Sequence, residues 1–102
     1  MADIRQGREA LVKRILEGDG HAPREQRTAA FANEGVPEAA RALLAKVTHA
    51  AAQVEDADIA AARRAGLTED QIFELVVCAA VGQATRQYEN ALAALAAATE
   101  DR

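Results

Sequence analysis

His49 and two following carboxylates are the side chains of this sequence best suited to acid–base chemistry. Glu55 and Asp58 follow His49 closely enough along the chain for either carboxylate to orient its imidazole ring. An imidazole oriented in this way is a common general base, because its ordinary pKa lies near neutral pH. Lys46, one helical turn before His49, favours the competing interpretation that this segment is the polar face of a helix. The sequence predicts His49, Glu55 and Asp58 as catalytic candidates and leaves both interpretations open.

Arg86 and Tyr88 bring hydrogen-bonding groups into the chain directly after its most apolar stretch. A buried guanidinium needs a partner, and we expect Arg86 to be held by a carboxylate from residues 55–58. Such a pair would be a structural ion pair or a contact between subunits. In the alternative interpretation, Arg86 and Tyr88 bind an anionic small molecule.

Cys78 is the only cysteine of the chain and lies within an apolar run. Burial in such surroundings raises the pKa of a thiol and lowers its reactivity, so we expect Cys78 to pack in the core and to be inert. His21 lies in a glycine-rich turn and is not expected to take part in catalysis. The two histidines lack the spacing of a metal motif, so we predict no metal site and no cofactor.

Charge and hydropathy argue against two classes of partner. The net charge is -4, and the basic residues are interleaved with acidic ones, whereas nucleic-acid binding requires a basic patch. No apolar run approaches the roughly 18–20 residues of a membrane span. The first ten residues also lack the apolar core of a signal peptide. We therefore expect a cytoplasmic protein without nucleic-acid or membrane partners.

The elements that position these side chains are predicted to be helices, because apolar residues recur at helical spacing and no segment alternates like a strand. Thr68 and Gln71 form a capping box that opens the last and longest helix, which we expect to run through Gly82 to about residue 97. Its first turns are apolar on nearly every side, so other helices should surround them. Gly66 is expected to end the preceding helix, and Asp56 to cap that helix at its start. The predicted fold is all-α, a compact bundle of five or six helices in a single domain, residues 1–102, with a long buried C-terminal helix.

The segment from Asp58 to Ile72, DIAAARRAGLTEDQI, resembles the carboxymuconolactone decarboxylase superfamily, which includes the alkylhydroperoxidase D-like proteins. That family combines a Cys-x-x-Cys-x-x-x-His motif with a following Ala-Gly-Leu, a Ser/Thr-Glu-Glu/Asp helix start and a long helix. The resemblance covers roughly residues 37–95. It implies an alkylhydroperoxidase D-like helical fold and a homo-oligomer, since members are typically trimers or hexamers.

The catalytic positions of that family carry other residues in this chain. The two family cysteines fall on Ala51 and Val54, the histidine on Asp58, and an acidic residue of some members on Ala39, beside Glu38. Peroxide reduction requires a low-pKa thiolate and a second thiol that resolves the sulfenate, so this chemistry is not expected here. Decarboxylase-type members do not depend on the cysteine pair, and the resemblance therefore leaves another kind of enzyme open.

Composition adds an independent reason to expect a homo-oligomer. The chain has 27 alanines but only two Phe, one Tyr and no Trp, so a single chain has few large side chains with which to build a core. The leading interpretation is a non-redox oligomeric protein that binds a small molecule or has a structural role. One alternative is a cofactor-independent decarboxylase or lactone or organic-acid enzyme that uses His49 and the nearby carboxylates. A more distant alternative is an alkylhydroperoxidase-like antioxidant that uses Cys78.

Overall fold

The computed structural model describes the backbone of residues 2–100 and the side chains of residues 5–100. Within this part of the chain every regular element is helical, as the sequence predicts. The α-helices are α1 (Ala2–Glu17), α2 (Arg24–Ala32), α3 (Arg41–His49), α4 (Asp56–Arg64) and α5 (Glu69–Glu100). Short 3-10 turns, Glu38–Ala40 and Ala51–Gln53, flank α3. None of the described helices has both the length and the hydropathy needed to cross a membrane.

The packing of α2 against the first half of α5 forms the centre of the fold, with α3 and α4 on one side and α1 on the other. Gly82 permits this close approach, because a Cβ atom at that position would overlap the backbone of Phe31 in α2. Helix α5 passes through Gly82 without a break, which confirms the predicted continuous helix.

The core is small and contains few large side chains. One cluster joins α2, α3 and α5 through Ala30, Leu44, Leu75, Cys78 and Ala79. A second, smaller cluster joins α3, α4 and α5. Full burial of a Leu side chain contributes only about 1.5–3 kcal/mol, and alanine contributes less, so this core gives the single chain modest stability. The predicted position of Cys78 in the core is confirmed, since the residue is 1% exposed.

The starts of α4 and α5 are fixed by local hydrogen bonds. Thr68 and Gln71 form the predicted capping box of α5, in which Gln71 N–H donates to Thr68 Oγ1 at 3.1 Å and Thr68 N–H donates to Gln71 Oε1 at 3.0 Å. The predicted cap of α4 is wrong by one position. Glu55 rather than Asp56 holds the N-cap position, because Asp58 Oδ2 reaches back to accept the Glu55 N–H at 2.9 Å.

The second half of α5 extends beyond the rest of the fold. Every residue from 87 to 100 is exposed. In the first half Phe73 is 68% exposed, so this helix is not surrounded on every side. The predicted compact bundle with a buried C-terminal helix is therefore wrong in this respect, because four shorter helices cannot cover a helix of 32 residues. The protein measures 55 × 28 × 21 Å, and its radius of gyration of 15.6 Å exceeds the roughly 13 Å typical of a compact domain of this length.

Candidate functional site

A large groove lies between α1, the loop that joins α1 to α2, and the first turns of α5. Its volume is about 610 Å³. Apolar side chains form much of its floor, and the charged or polar side chains that line it are Arg14, Asp19, His21, Arg27, Asp70 and Glu74. We call it the His21 groove. A concave apolar surface of this size with a few converging polar groups is typical of small-molecule sites.

Glu74 of α5 holds the loop that forms one side of the His21 groove. Its carboxylate accepts the backbone N–H of His21 at 2.8 and 2.9 Å and that of Ala22 at 3.2 Å. The loop comes this close at Gly20, where a Cβ atom would overlap the Glu74 carboxylate. Burial by itself would raise the pKa of Glu74, but the hydrogen bonds from His21 and Ala22 together outweigh it and lower the pKa below its ordinary value.

The imidazole of His21 lies between two carboxylates of α5. His21 Nδ1 is 3.1 Å from Glu74 Oε2, and His21 Nε2 is 3.8 Å from Asp70 Oδ2. The His21 side chain is 67% exposed and faces the groove. A ring that is held at one nitrogen by a carboxylate and lines a groove has the geometry of a general acid or base.

Arg27 of α2 is a buried cation that fastens the base of the same loop. It is 5% exposed. Its Nε donates to the Ala22 carbonyl at 3.1 Å, and its Nη1 donates to the carbonyls of Ile15 and Gly18 at 3.2 and 2.8 Å. The carbonyls at the end of α1 have no partner within the helix, so Arg27 satisfies groups that would otherwise be buried unpaired.

Cys78 lies beneath the groove and does not line it. Its Sγ is 3.6 Å from the Ile15 carbonyl. Burial raises the pKa of the thiol, an effect that the charge of Arg27 opposes and the charge of Glu74 reinforces. The thiol is therefore protonated and shielded, as expected of a core residue.

Among the described residues, no hydrogen bond joins His49 to Glu55 or Asp58, the other two residues that the sequence predicts to be catalytic. Lys46 Nζ donates to both carboxylate oxygens of Asp58, at 2.9 and 3.0 Å. This hydrogen bond raises the pKa of Lys46 and lowers that of Asp58. Glu55 is exposed at the start of α4, and His49 is exposed at the end of α3 without a hydrogen bond to any described side chain. The arrangement favours the polar-face interpretation, because Lys46 and not His49 binds the carboxylate.

Arg86 is not held by a carboxylate of residues 55–58, so its predicted partner is wrong. Its guanidinium donates to the Phe31 carbonyl and to Gln83 Oε1, the latter at 2.9 Å. Phe31 lies in the last turn of α2, where a cation stabilises carbonyls that lack a helical partner. The ring of Tyr88 faces the guanidinium of Arg8 at 4.9 Å. Arg86 and Tyr88 thus serve the packing of α5 against α2 and α1, and neither lines the His21 groove.

A second groove brings together two of the positions marked by the family resemblance. Ala39 and Asp58 both line a groove of about 500 Å³ between α4 and the turn before α3, with Glu38 at its edge. The positions of the two family cysteines, Ala51 and Val54, do not line it. The groove is walled largely by alanine, and its lining contains no Cys, Ser, Thr or His side chain.

The His21 site depends on a contact between residues more than 50 positions apart. One local signal was present in the sequence, because Asp70 and Glu74 lie four residues apart and therefore on the same face of a helix. Nothing local indicated that the glycine-rich turn would pack against that face.

Comparisons of the chain with known protein families, with curated proteins and with solved structures found no match. Among the described residues, no group of three or more His, Cys, Asp or Glu side chains is arranged to hold a metal ion. A functional interpretation therefore depends on the geometry of the site.

Proposed function

We propose that this protein is a homo-oligomeric module that binds a small organic molecule in the His21 groove. The observation that carries this proposal is the groove itself, which combines an apolar floor at Phe73 and Val77 with oriented polar groups at His21 and Glu74. In such sites the apolar surface supplies most of the affinity and the polar groups fix the orientation of the ligand.

The charges at the groove favour a ligand with a cationic or hydrogen-bond-donating group. Three carboxylates, Asp19, Asp70 and Glu74, line it together with the guanidinium groups of Arg14 and Arg27. Arg27 already donates through Nε and Nη1 to three backbone carbonyls, and the carboxylates outnumber the guanidinium groups at the groove by three to two. This proposal differs from the alternative interpretation in which Arg86 and Tyr88 bind an anionic small molecule. The Arg86 guanidinium instead donates to Phe31 and Gln83, and the ring of Tyr88 contacts Arg8.

We also propose that the chain is a non-redox relative of the carboxymuconolactone decarboxylase-like proteins. Two observations support this. The segment that carries the resemblance forms a short helix, a glycine stop at Gly66 and a capped long helix, the order that the resemblance implies. Ala39 and Asp58, which occupy two family catalytic positions, line one groove. The buried, protonated thiol of Cys78 favours the non-redox form.

Binding can be tested with two fragments of the same shape and opposite charge, benzylamine and benzoate. We expect benzylamine to shift amide resonances of the loop and of the first turns of α5, and benzoate to have a weaker effect. Asp70→Asn and Phe73→Ala should each reduce the benzylamine shifts. Glu34→Gln, which removes an exposed carboxylate outside the groove, should leave them unchanged. Shifts that are absent, or that survive both groove substitutions, would refute the site.

A second candidate function is a cofactor-independent enzyme that uses acid–base catalysis at the same groove. The specific observation in its favour is the 3.1 Å contact between His21 Nδ1 and Glu74 Oε2, which orients the ring toward the groove. Glu74 would act as a positioning residue, and His21 would move the proton.

Two variants, His21→Gln and His49→Gln, distinguish an active site at the His21 groove from the active site predicted around His49. Both variants are assayed for hydrolysis of nitrophenyl esters and of a γ-lactone. If the groove is an active site, only His21→Gln loses turnover. Loss in His49→Gln alone would support the His49 hypothesis, and an inactive wild-type protein would favour the binding module.

A further inference from the structure

Helix α5 has two apolar faces, of which the fold of one chain covers only one. Leu75, Ala79 and Gly82 lie on the covered face, against the rest of the bundle. The other face carries an unbroken apolar stripe, which we call the α5 stripe: Phe73, Val77, Ala80, Ala84, Tyr88, Ala91, Leu95 and Ala98. Successive members are three or four residues apart, about 3.6 on average, so they remain on one side of a straight helix.

The α5 stripe is largely open to solvent, and its one contact described above is that of the Tyr88 ring with Arg8 of α1. Phe73 is 68% exposed, Tyr88 46% and Leu95 64%, and only Val77 is half-buried. The stripe has no charged member, and it spans 26 residues, about 38 Å at 1.5 Å per residue. A helix pair of that length buries several hundred Å² per subunit, which approaches the roughly 800 Å² per partner of a stable interface.

We propose that the α5 stripe packs antiparallel against the same stripe of a second copy of this chain, with the twofold axis near residue 86. In this register large side chains face small ones, because Tyr88 lies opposite Ala84 and Leu95 opposite Val77. Phe73 then lies opposite Ala98. Parallel pairing would place each large side chain against its own copy, which packs less well. A twofold arrangement needs only one self-complementary surface, and the α5 stripe supplies it.

The same register completes the His21 groove. Phe73 and Val77 belong both to the α5 stripe and to the groove. In the dimer, Leu95 and Ala98 of the partner subunit lie over these two residues and cover the open side of the groove. The ligand site is therefore built from both subunits. This last step rests on the proposed function, whereas the interface itself does not.

Leu95→Glu tests the interface without disturbing the fold of the single chain, because Leu95 makes no buried contact there. Light scattering should give about twice 10.8 kDa for the wild-type protein and 10.8 kDa for the variant. Ala97→Glu adds the same charge on the opposite side of the helix and should leave the dimer intact. A Leu95→Glu protein with wild-type mass would overturn this interface, and a monomeric wild-type protein would overturn both the interface and the oligomer.

Disulfide cross-linking tests the antiparallel register. In a Cys78→Ala background, a chain that carries both Val77→Cys and Leu95→Cys should form covalent dimers rapidly on oxidation. Each single substitution should not, because the two copies of either residue lie about 27 Å apart along the antiparallel pair. Rapid cross-linking by Leu95→Cys alone would indicate parallel helices and overturn the register.

Fluorescence tests whether the partner covers the groove. The chain contains no Trp, so Phe73→Trp introduces a single reporter at the groove. Its emission should shift to shorter wavelength as the dimer forms, and the double variant Phe73→Trp/Leu95→Glu should emit at the wavelength of an exposed indole. Equal emission from both proteins would refute the shared site. If the emission shifts as the dimer forms but benzylamine does not bind, the interface is supported and the proposed function is refuted.

Discussion

Glu74 shows at the scale of a residue how one carboxylate organises the site. It accepts two backbone N–H groups and contacts the ring of His21, while its own side chain is only 19% exposed. The loop therefore depends on a residue far away in sequence, and the position of His21 depends on the ionised form of Glu74.

Glu74→Gln should weaken this anchor, because an amide has one accepting oxygen and no charge. We expect the free energy of unfolding to fall by about 1–3 kcal/mol, the cost of leaving partly buried donors without a charged acceptor. Urea denaturation measures the change. Glu89→Gln, at an exposed position of α5, should change stability by less than about 0.5 kcal/mol. Equal effects of the two substitutions would contradict the role of Glu74.

The lowered pKa of Glu74 predicts the direction of a pH effect. Because its pKa is lower in the folded state than the ordinary value of 4.5, its contribution to stability is complete above that value. The contribution is lost as the pH falls from about 4.5 through the lower folded pKa. The gap in unfolding free energy between wild-type protein and Glu74→Gln should therefore narrow in acid, as urea denaturation at pH 7, 5 and 3.5 will show. A gap that widens toward acid pH would contradict this sign.

Cys78 should react slowly with thiol reagents in the native protein and rapidly in urea, because its sulfur is buried and its pKa is raised. Labelling with a chromogenic disulfide checks this. We also expect no peroxide turnover with a dithiol reductant, since a second thiol is absent from the chain. Fast native labelling, or turnover that Cys78→Ser abolishes, would support the antioxidant alternative instead.

Among the elements, contacts between residues close in sequence were predictable, and contacts between distant residues were not. The Thr68 cap and the stop at Gly66 depend on residues within a few positions, and both were predictable. The partner of Arg86 was predicted wrongly because it depends on which helix end packs near the middle of α5. Lys46 donates to Asp58 across 12 residues, and this contact depends on how α3 packs against α4.

The contact between α2 and α5 at Gly82 leads to a prediction of its own. Gly82→Ala should lower the free energy of unfolding by about 1–3 kcal/mol, since overlap with the Phe31 backbone outweighs any gain in helix propensity. Gly7→Ala is the matched control, because α1 has open space at that position. It should raise stability by roughly 0.5–1 kcal/mol. Thermal unfolding followed by circular dichroism measures both changes, and effects of the same sign would contradict this account.

At the scale of the whole molecule, the protein combines a small core with a helix that is too long for it. The composition already indicated that one chain has few large apolar side chains with which to build a core. The exposed second half of α5 is consistent with this. The composition did not indicate which surface of α5 stays exposed, because that depends on which of its two apolar faces packs against α2.

If a second copy covers the α5 stripe, stability must depend on concentration. Association stabilises the folded state by mass action, so the melting temperature of the wild-type protein should rise as its concentration increases. Calorimetry at about 5 and 500 μM measures this rise. Leu95→Glu should show a lower melting temperature that does not change with concentration. A wild-type melting temperature that does not change with protein concentration would argue against the dimer.

The way in which α1 is attached has a further consequence. No described side chain of α1 is fully buried, and the Ile15 carbonyl in this helix lies over the sulfur of Cys78. A helix attached so weakly is expected to detach at a lower free energy than global unfolding requires. Each detachment would uncover the only thiol in the chain. The rate at which Cys78 is labelled under native conditions would therefore serve as a built-in kinetic reporter of α1 opening, and breaking the Arg27 contacts should accelerate it.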